Sequence, residues 1–194
     1  NTKFIKSASK KEEFIVDELP QIAIVGRSNV GKSSLINLLT NNSKMAKTSS
    51  TPGRTRLVNY FNINNKFYLV DLPGYGFAKV SKEEKKKWGA LLESFLAKEK
   101  ISLLLSLVDI RHEPTEDDKM MINYLYHYAV PFALVATKAD KLAKTVVKTG
   151  KTVKLEPMSA YERKIIHEKL QNHAKVVTSS VGEEPYRKVV ISLK

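Results

Sequence analysis

Residues Gly26 to Ser33 read G-R-S-N-V-G-K-S and follow directly on the apolar run Ile22-Ala23-Ile24-Val25. Every fixed position of the G-x-x-x-x-G-K-[ST] phosphate-binding pattern is filled. A buried strand that delivers a Gly-rich turn into a helix start gathers several backbone N–H groups and the positive end of the helix dipole around one point, where an anion must sit. Gly26 and Gly31 can take backbone angles closed to other residues. Lys32 can reach the outer phosphates of a nucleotide, and the Ser33 hydroxyl can complete the shell of a Mg²⁺ ion. A strand, loop and helix in that order indicate an α/β protein.

Two further segments extend the pattern. Phe67-Tyr68-Leu69-Val70 reads as a short strand ending in Asp71-Leu72-Pro73-Gly74. In this D-x-x-G arrangement the carboxylate reaches Mg²⁺ through water and the Gly74 N–H is free to meet a γ-phosphate. D-x-x-G alone is more often a plain turn, but behind a strand and downstream of a phosphate loop it reads as part of a nucleotide site. Phe132-Ala133-Leu134-Val135-Ala136 is another apolar run, leading into Thr137-Lys138-Ala139-Asp140. A carboxylate at Asp140 accepts two parallel hydrogen bonds, which guanine supplies from N1–H and its exocyclic amine. Adenine has an acceptor at N1 and no amine at C2, so it leaves the acid unpaired at a cost of about 1–3 kcal/mol or more. Lys138 would lay its stem along the base while Ala139 keeps the approach open. GTP is therefore expected over ATP.

Taken together, G-R-S-N-V-G-K-S-S-L-I-N (26–37), T-P-G-R-T (51–55), D-L-P-G-Y-G-F-A (71–78), D-I-R-H-E-P-T-E-D-D (109–118) and T-K-A-D-K (137–141) resemble the EngB (YihA/YsxC) family of ribosome-assembly GTPases, over about Ile22 to Ser180. The resemblance implies one Ras-like P-loop GTPase domain over residues 21–194. Its fold would be a three-layer α/β/α arrangement around a mostly parallel six-stranded sheet with one antiparallel edge strand, and residues 1–20 would form an extension packed on or near it. GTP and GDP are the implied ligands and Mg²⁺ the implied cofactor. To the nucleotide the resemblance assigns Gly26, Arg27, Ser28, Asn29, Val30, Gly31, Lys32, Ser33 and Ser34 of the phosphate loop, and Gly53, Arg54, Thr55, Arg56 and Leu57 of a switch segment. It also assigns Asp71, Leu72, Pro73 and Gly74, then Thr137, Lys138, Ala139 and Asp140, and last Thr178, Ser179 and Ser180 as a second base-contacting stretch. Ser33, Thr55 and, through water, Asp71 are the implied metal ligands; Lys32, Thr55 and Gly74 are the implied catalytic contacts.

Asn41 to Arg54 is expected to be ordered with GTP and loosened with GDP. Ser49, Ser50 and Thr51 compete with Thr55 for the metal, but Thr55 stands beside the strand-like run Arg56 to Phe61, which would fix its backbone. Arg54 and Arg56 could touch phosphate or face RNA or solvent. Two positions depart from the wider GTPase pattern. Thr137 replaces an Asn whose amide ties the base loop to the phosphate loop, so affinity is expected to be modest. Tyr75 replaces the Gln that orients the attacking water, so intrinsic hydrolysis is expected to be slow and dependent on a partner or an ion. Asn29 matches GTPases that hold K⁺ against the phosphates; the plainer reading is an amide bonded to its own loop.

With 194 residues, 42% of them hydrophobic, the chain can bury one substantial core, and one domain is expected. Cysteine is absent, which excludes disulfides and thiolate metal sites. The longest apolar stretch, Ile101 to Val108, is too short to cross a bilayer, and no secretory apolar segment follows Asn1, so a cytoplasmic protein without a membrane partner is expected. The 33 basic residues against 20 acidic ones leave a net charge of +13 and favour a polyanionic partner. Lys79, Lys82, Lys85, Lys86 and Lys87 form one cluster. Lys138, Lys141, Lys144, Lys148, Lys151 and Lys154 form another, which reads as a mobile basic loop suited to phosphate backbones. The resemblance implies the partner: a large ribosomal subunit precursor with its rRNA and proteins, met by a monomer. Two functions stay open, a GTP hydrolase that times release from that precursor and a GTP-dependent RNA-binding module in which hydrolysis is incidental.

Capping-box spacing at Ser81 to Glu84 precedes a helical stripe of Trp88, Leu91, Leu92, Phe95 and Leu96. Thr115 to Asp118 opens a second helix with Met120, Met121, Tyr124, Leu125 and Tyr128 on its inner side, and Ser159 to Glu162 opens a third. Leu103 to Val108, Phe132 to Ala136 and Lys175 to Thr178 alternate with these helices in the order of parallel strands. Asn64-Asn65 marks a hairpin at the sheet edge. His112 lies beyond a strand end on the nucleotide side, while His127, His167 and His173 read as surface or helix positions.

Overall fold

A computed structural model describes residues 1–46, 57–76, 82–98 and 100–194, except for the side chains of residues 82, 84, 85 and 98. Gly53, Arg54, Thr55 and Arg56, the competing Ser49 to Thr51, and the Ser81 to Glu84 capping box all lie outside that description. The described chain forms two compact units, residues 1–108 with 114–135, and residues 109–113 with 136–194.

The first unit carries β1 (Thr2–Ala8), β2 (Gln21–Gly26), α1 (Lys32–Leu39), β3 (Val58–Ile63), β4 (Phe67–Asp71), α2 (Lys82–Lys98), β5 (Ile101–Asp109), α3 (Glu116–His127) and most of β6 (Phe132–Thr137). The six strands make one sheet in the order β1-β3-β4-β2-β5-β6. Alternation along each strand gives the sheet two apolar faces. Ala23, Val25, Tyr68, Val70 and Leu104 pack with Leu92, Phe95 and Leu96 of α2 and Met121 and Leu125 of α3. On the opposite face Ile24, Phe61, Leu69 and Leu107 pack with Val30 of the loop after β2 and Ile36 of α1. The expected three layers and mostly parallel sheet are therefore present.

β2 runs parallel to both β4 and β5, with Ile24 opposite Asp71 and Gly26 opposite Leu107. This register brings the phosphate loop and Asp71 out at the same carboxyl edge, where open α/β sheets bind ligands. The hairpin from β3 to β4 turns through Asn64 and Asn65, both with positive φ, as a tight hairpin requires. One detail differs from expectation: β3, the strand that runs against its neighbours, is not at the edge. The N-terminal extension adds β1 outside it, antiparallel, with Thr2 opposite Ile63 and Ala8 opposite Val58. The polar run T-K-F-I-K-S-A hides this strand, because a register shift between Phe4 and Lys6 breaks its alternation. Phe4 packs edge-on against Phe61 at 5.7 Å, and Ala8 is buried.

α3 opens with the expected capping box, Thr115 and Asp118 each bonding the other's backbone N–H. Met121 and Leu125 are buried as anticipated, but Met120 faces outward. Adjacent positions on a helix cannot share a face.

The second unit holds α4 (Ala139–Thr149), β7 (Val153–Pro157), α5 (Ala160–Leu170), β8 (Val176–Val181) and β9 (Lys188–Leu193). Its strands form a separate antiparallel sheet in the order β7-β9-β8. It has its own core of Leu142, Ala143, Val146, Leu155, Ile166, Leu170, Val176, Val189 and Ile191. Two expectations change here. The lysine run after Lys138 is a helix and a strand rather than a mobile loop, because Leu142, Ala143 and Val146 share one buried face while Lys141, Lys144 and Lys148 stay exposed. Lys175 to Thr178 does not continue the parallel sheet, since β8 pairs antiparallel with β9. These elements bury their apolar faces on one another. No helix among the described residues is long and apolar enough to cross a membrane.

Ile191 is fully buried in this second core, so Ile191→Ala should cost about 2–5 kcal/mol by urea denaturation. Lys144→Ala, on the exposed face of α4, should stay within about 0.5 kcal/mol.

Candidate functional site

The last residue of β2 sets the geometry. A Cβ on Gly26 would lie 2.8 Å from Val30 Cγ1 and 2.9 Å from the Leu107 carbonyl oxygen, so only glycine lets β2, β5 and the loop close up here. The chain then turns through left-handed angles at Asn29 and Gly31, and α1 begins at Lys32. No side chain caps that helix start, which leaves first-turn N–H groups pointing at the place where an anion binds. Ser33 and Ser34 occupy that first turn.

Lys32 Nζ is bonded to the Asp71 carboxylate, and both side chains are almost wholly buried. Asp71 Oδ2 also faces Asn59 Nδ2 at 3.5 Å, and the Asn59 amide oxygen accepts from Ser7 Oγ at 2.7 Å. The residues expected to hold phosphate and metal are thus brought together and neutralise each other.

Gly74 closes against the phosphate loop. A Cβ there would sit 3.2 Å from the Gly26 carbonyl oxygen and 3.5 Å from the Ser28 nitrogen. Ser28 N–H donates to the Tyr75 carbonyl at 3.0 Å, and Arg27 and Tyr75 form a bridge. The Tyr75 ring turns inward, packs on Trp88 at a centroid distance of 6.1 Å and donates from its hydroxyl to Asp118 at 2.9 Å. Burial first, then the charge and hydrogen bond of Asp118, push the phenol far above its usual range. Trp88 Nε1 donates to the Pro73 carbonyl at 3.2 Å. Leu72 is buried beneath this turn, and Leu57, resuming the chain after the switch segment, is exposed.

The donor set fits a magnesium-bound nucleotide. One carboxylate and one hydroxyl are hard oxygen donors, too few to enclose a cation alone, and Mg²⁺ is commonly shared between such a pair, phosphate oxygens and water. No group of three or more His, Cys, Asp or Glu suited to a metal occurs among the described residues.

In the second unit Thr137 ends β6 and Lys138 takes a left-handed conformation, so that α4 starts at Ala139 with Asp140 in its first turn. Arg111 is gripped by Asp109 through bonds of 2.9 and 2.6 Å. The bond to Asp109, against some desolvation, raises the Arg111 guanidinium, and the charge of Asp140 adds to the effect.

Thr178, Ser179 and Ser180 lie within β8, paired with β9. A second base-contacting stretch is expected there; in the structure Thr178 and Ser180, half-buried on the same face of the strand as Val176, are held by an imidazole. His167 Nδ1 is 2.6 Å from Thr178 Oγ1 and Nε2 is 2.8 Å from Ser180 Oγ. One helical turn before it, Arg163 is buried and donates to the Met158 carbonyl at 2.6 Å and to Glu184 at 2.5 Å. Beside this pair lies a cavity of about 750 Å³ lined by Lys164, His167, Thr178, Ser180, Arg187 and Lys194. Sequence reasoning passed over this cluster; the signal was R-x-x-x-H on the helix that Ser159 caps.

Comparison with known proteins gives two matches along the chain. Residues 21–138 match the family described as 50S ribosome-binding GTPase, and residues 135–193 match the R-3-H domain. A probable GTP-binding protein EngB of Thermoanaerobacter pseudethanolicus is 57% identical over 143 residues, covering 73% of this chain and 74% of that protein. One from Streptococcus sanguinis is 45% identical over 185 residues, covering 95% and 90%. Among solved structures, Era in complex with MgGDPNP and a segment of 16S ribosomal RNA aligns with a TM-score of 0.51 at 27% identity, over 69% of this chain and 45% of that one.

Gly26→Ala forces a methyl into the Leu107 carbonyl and should lower stability by about 1–3 kcal/mol and abolish nucleotide binding. Thermal unfolding and nucleotide titration check both.

Proposed function

The chain belongs to the EngB-type GTP-binding proteins, and we propose on that basis that it is a magnesium-dependent guanine-nucleotide switch with slow intrinsic GTP hydrolysis, acting in assembly of the large ribosomal subunit. The observation that carries the reading is the buried pairing of Lys32 with Asp71 at the uncapped start of α1. Each partner is matched to one half of a magnesium–phosphate group, so the two charges are exchanged for phosphate and metal rather than left unpaired in a dry site. Lys32 and the first-turn N–H groups take the phosphates, Ser33 and Asp71 hold the metal with Thr55 as third ligand, and Gly74 meets the terminal phosphate. Magnesium supplies charge neutralisation on the outer phosphates. Asp140 reads guanine.

Slow turnover is supported by Tyr75, whose hydroxyl is engaged with Asp118 inside the protein and has no reach to an attacking water. The stimulus is then a partner or K⁺, for which the Asn29 amide is our candidate ligand. The polyanion is RNA, and ribosomal RNA is the form we favour. The net charge of +13 supports this, as do the second family match, over residues 135–193, and the basic rim of Lys164, Arg187 and Lys194 around His167. The buried Tyr75 equally favours the second reading, an RNA-binding module gated by GTP in which hydrolysis is incidental. Either form works in the cytoplasm.

Fluorescence titration should show GTP and GDP bound more tightly than ATP by about a hundredfold or more. Asp140→Ala should remove that preference without improving ATP, and turnover should be faster in K⁺ than in Na⁺. Equal binding of ATP and GTP would contradict the reading.

A further inference from the structure

Asp118 is a buried acid that none of the roles above uses. Its Oδ2 accepts from the Thr115 N–H at 2.8 Å and the Thr115 hydroxyl at 2.7 Å, which closes the capping box of α3. Its Oδ1 is left for a partner outside the helix, and that partner is the Tyr75 hydroxyl at 2.9 Å. Three donors hold the carboxylate fixed in place at the start of α3. Tyr75 is fixed at its other end too, since its backbone lies along Arg27 and Ser28 of the phosphate loop. Immediately before Tyr75 stands Gly74, whose backbone lies so close to the phosphate loop that a Cβ would sit 3.2 Å from the Gly26 carbonyl oxygen.

From this geometry we infer that Tyr75 is a positioning residue: its hydroxyl, latched to Asp118, fixes the Gly74 peptide so that its N–H is aimed where a terminal phosphate arrives, and couples that peptide to the start of α3. The inference rests on the GTP reading above. A ligand that ends at the β-phosphate makes no contact with Gly74, so the latch acts on triphosphate binding and leaves diphosphate binding alone. Movement of Gly74 is carried through the phenol into α3, which gives the nucleotide state a rigid element through which to act.

The test uses the full chain and fluorescent GDP and non-hydrolysable GTP analogues. Tyr75→Phe keeps the ring and its packing on Trp88 and removes only the hydroxyl. It should weaken the triphosphate analogue about tenfold, the scale of one well-made hydrogen bond to a charged group, and leave GDP within about twofold. Asp118→Ala removes the other half and should give the same selective loss with a larger fall in Tm. Met121→Ala, a cavity in the same core on the same helix, should lower Tm and leave the ratio of the two affinities unchanged. An unchanged ratio in Tyr75→Phe and Asp118→Ala, with both nucleotides bound by the unaltered protein, overturns the latch while the GTP reading stands. A shift of equal size in Met121→Ala overturns it as well, since the effect would be general loosening. Failure of the unaltered protein to bind either nucleotide overturns the GTP reading and the latch together.

Discussion

The buried contact between Lys32 and Asp71 is the constraint from which the nucleotide half of the structure follows. Two opposite charges can sit in so dry a place only as partners, and their pairing requires the ends of β2 and β4 to emerge side by side. Parallel pairing with Ile24 opposite Asp71 achieves that. It also requires the backbone of Gly26 to pass close under β5, where a methyl group would collide, and that of Gly74 to pass close over the loop, where one would be tightly confined. The apolar layers on either face of the sheet keep this edge from spreading. What results is a dry site in which a buried cation and a buried anion neutralise each other.

The second unit rests on different physics. Its core is small and formed by α4, α5 and three antiparallel strands, and its charged residues lie outside. Arg163, the most buried of its cations, is spent on Glu184 and a carbonyl, so it supports the fold. The cations left at the surface beside His167 are Lys164, Arg187 and Lys194, and these are the ones suited to a phosphate backbone.

How far the sequence was legible depended on the range of the interactions. The Gly-rich turn from β2 into α1 and the D-x-x-G turn after β4 were readable because each is a local pattern whose backbone is set within a few residues, and the caps at Thr115 and Ser159 were readable for the same reason. The EngB resemblance built on those patterns holds. β1 was missed because a register shift between Phe4 and Lys6 breaks its alternation, so that a mostly polar run looks like a tail. α4 was missed because six lysines outweighed the spacing of Leu142, Ala143 and Val146, although that spacing alone decides which face is buried. The bonds of Thr178 and Ser180 to His167 were not legible, because hydroxyls close in sequence carry no sign of the distant imidazole that holds them. The partner of the Tyr75 hydroxyl lay 43 residues away at Asp118, beyond any periodicity.

The central claim is that guanine nucleotide controls attachment of this basic chain to ribosomal RNA. Sedimentation with purified large ribosomal subunits in GDP and in a non-hydrolysable GTP analogue, at low and high salt, tests it most directly. The account predicts tighter, salt-resistant co-sedimentation with the triphosphate form. Equal binding in both states that vanishes with salt would contradict it and reduce the charge to a nonspecific attraction.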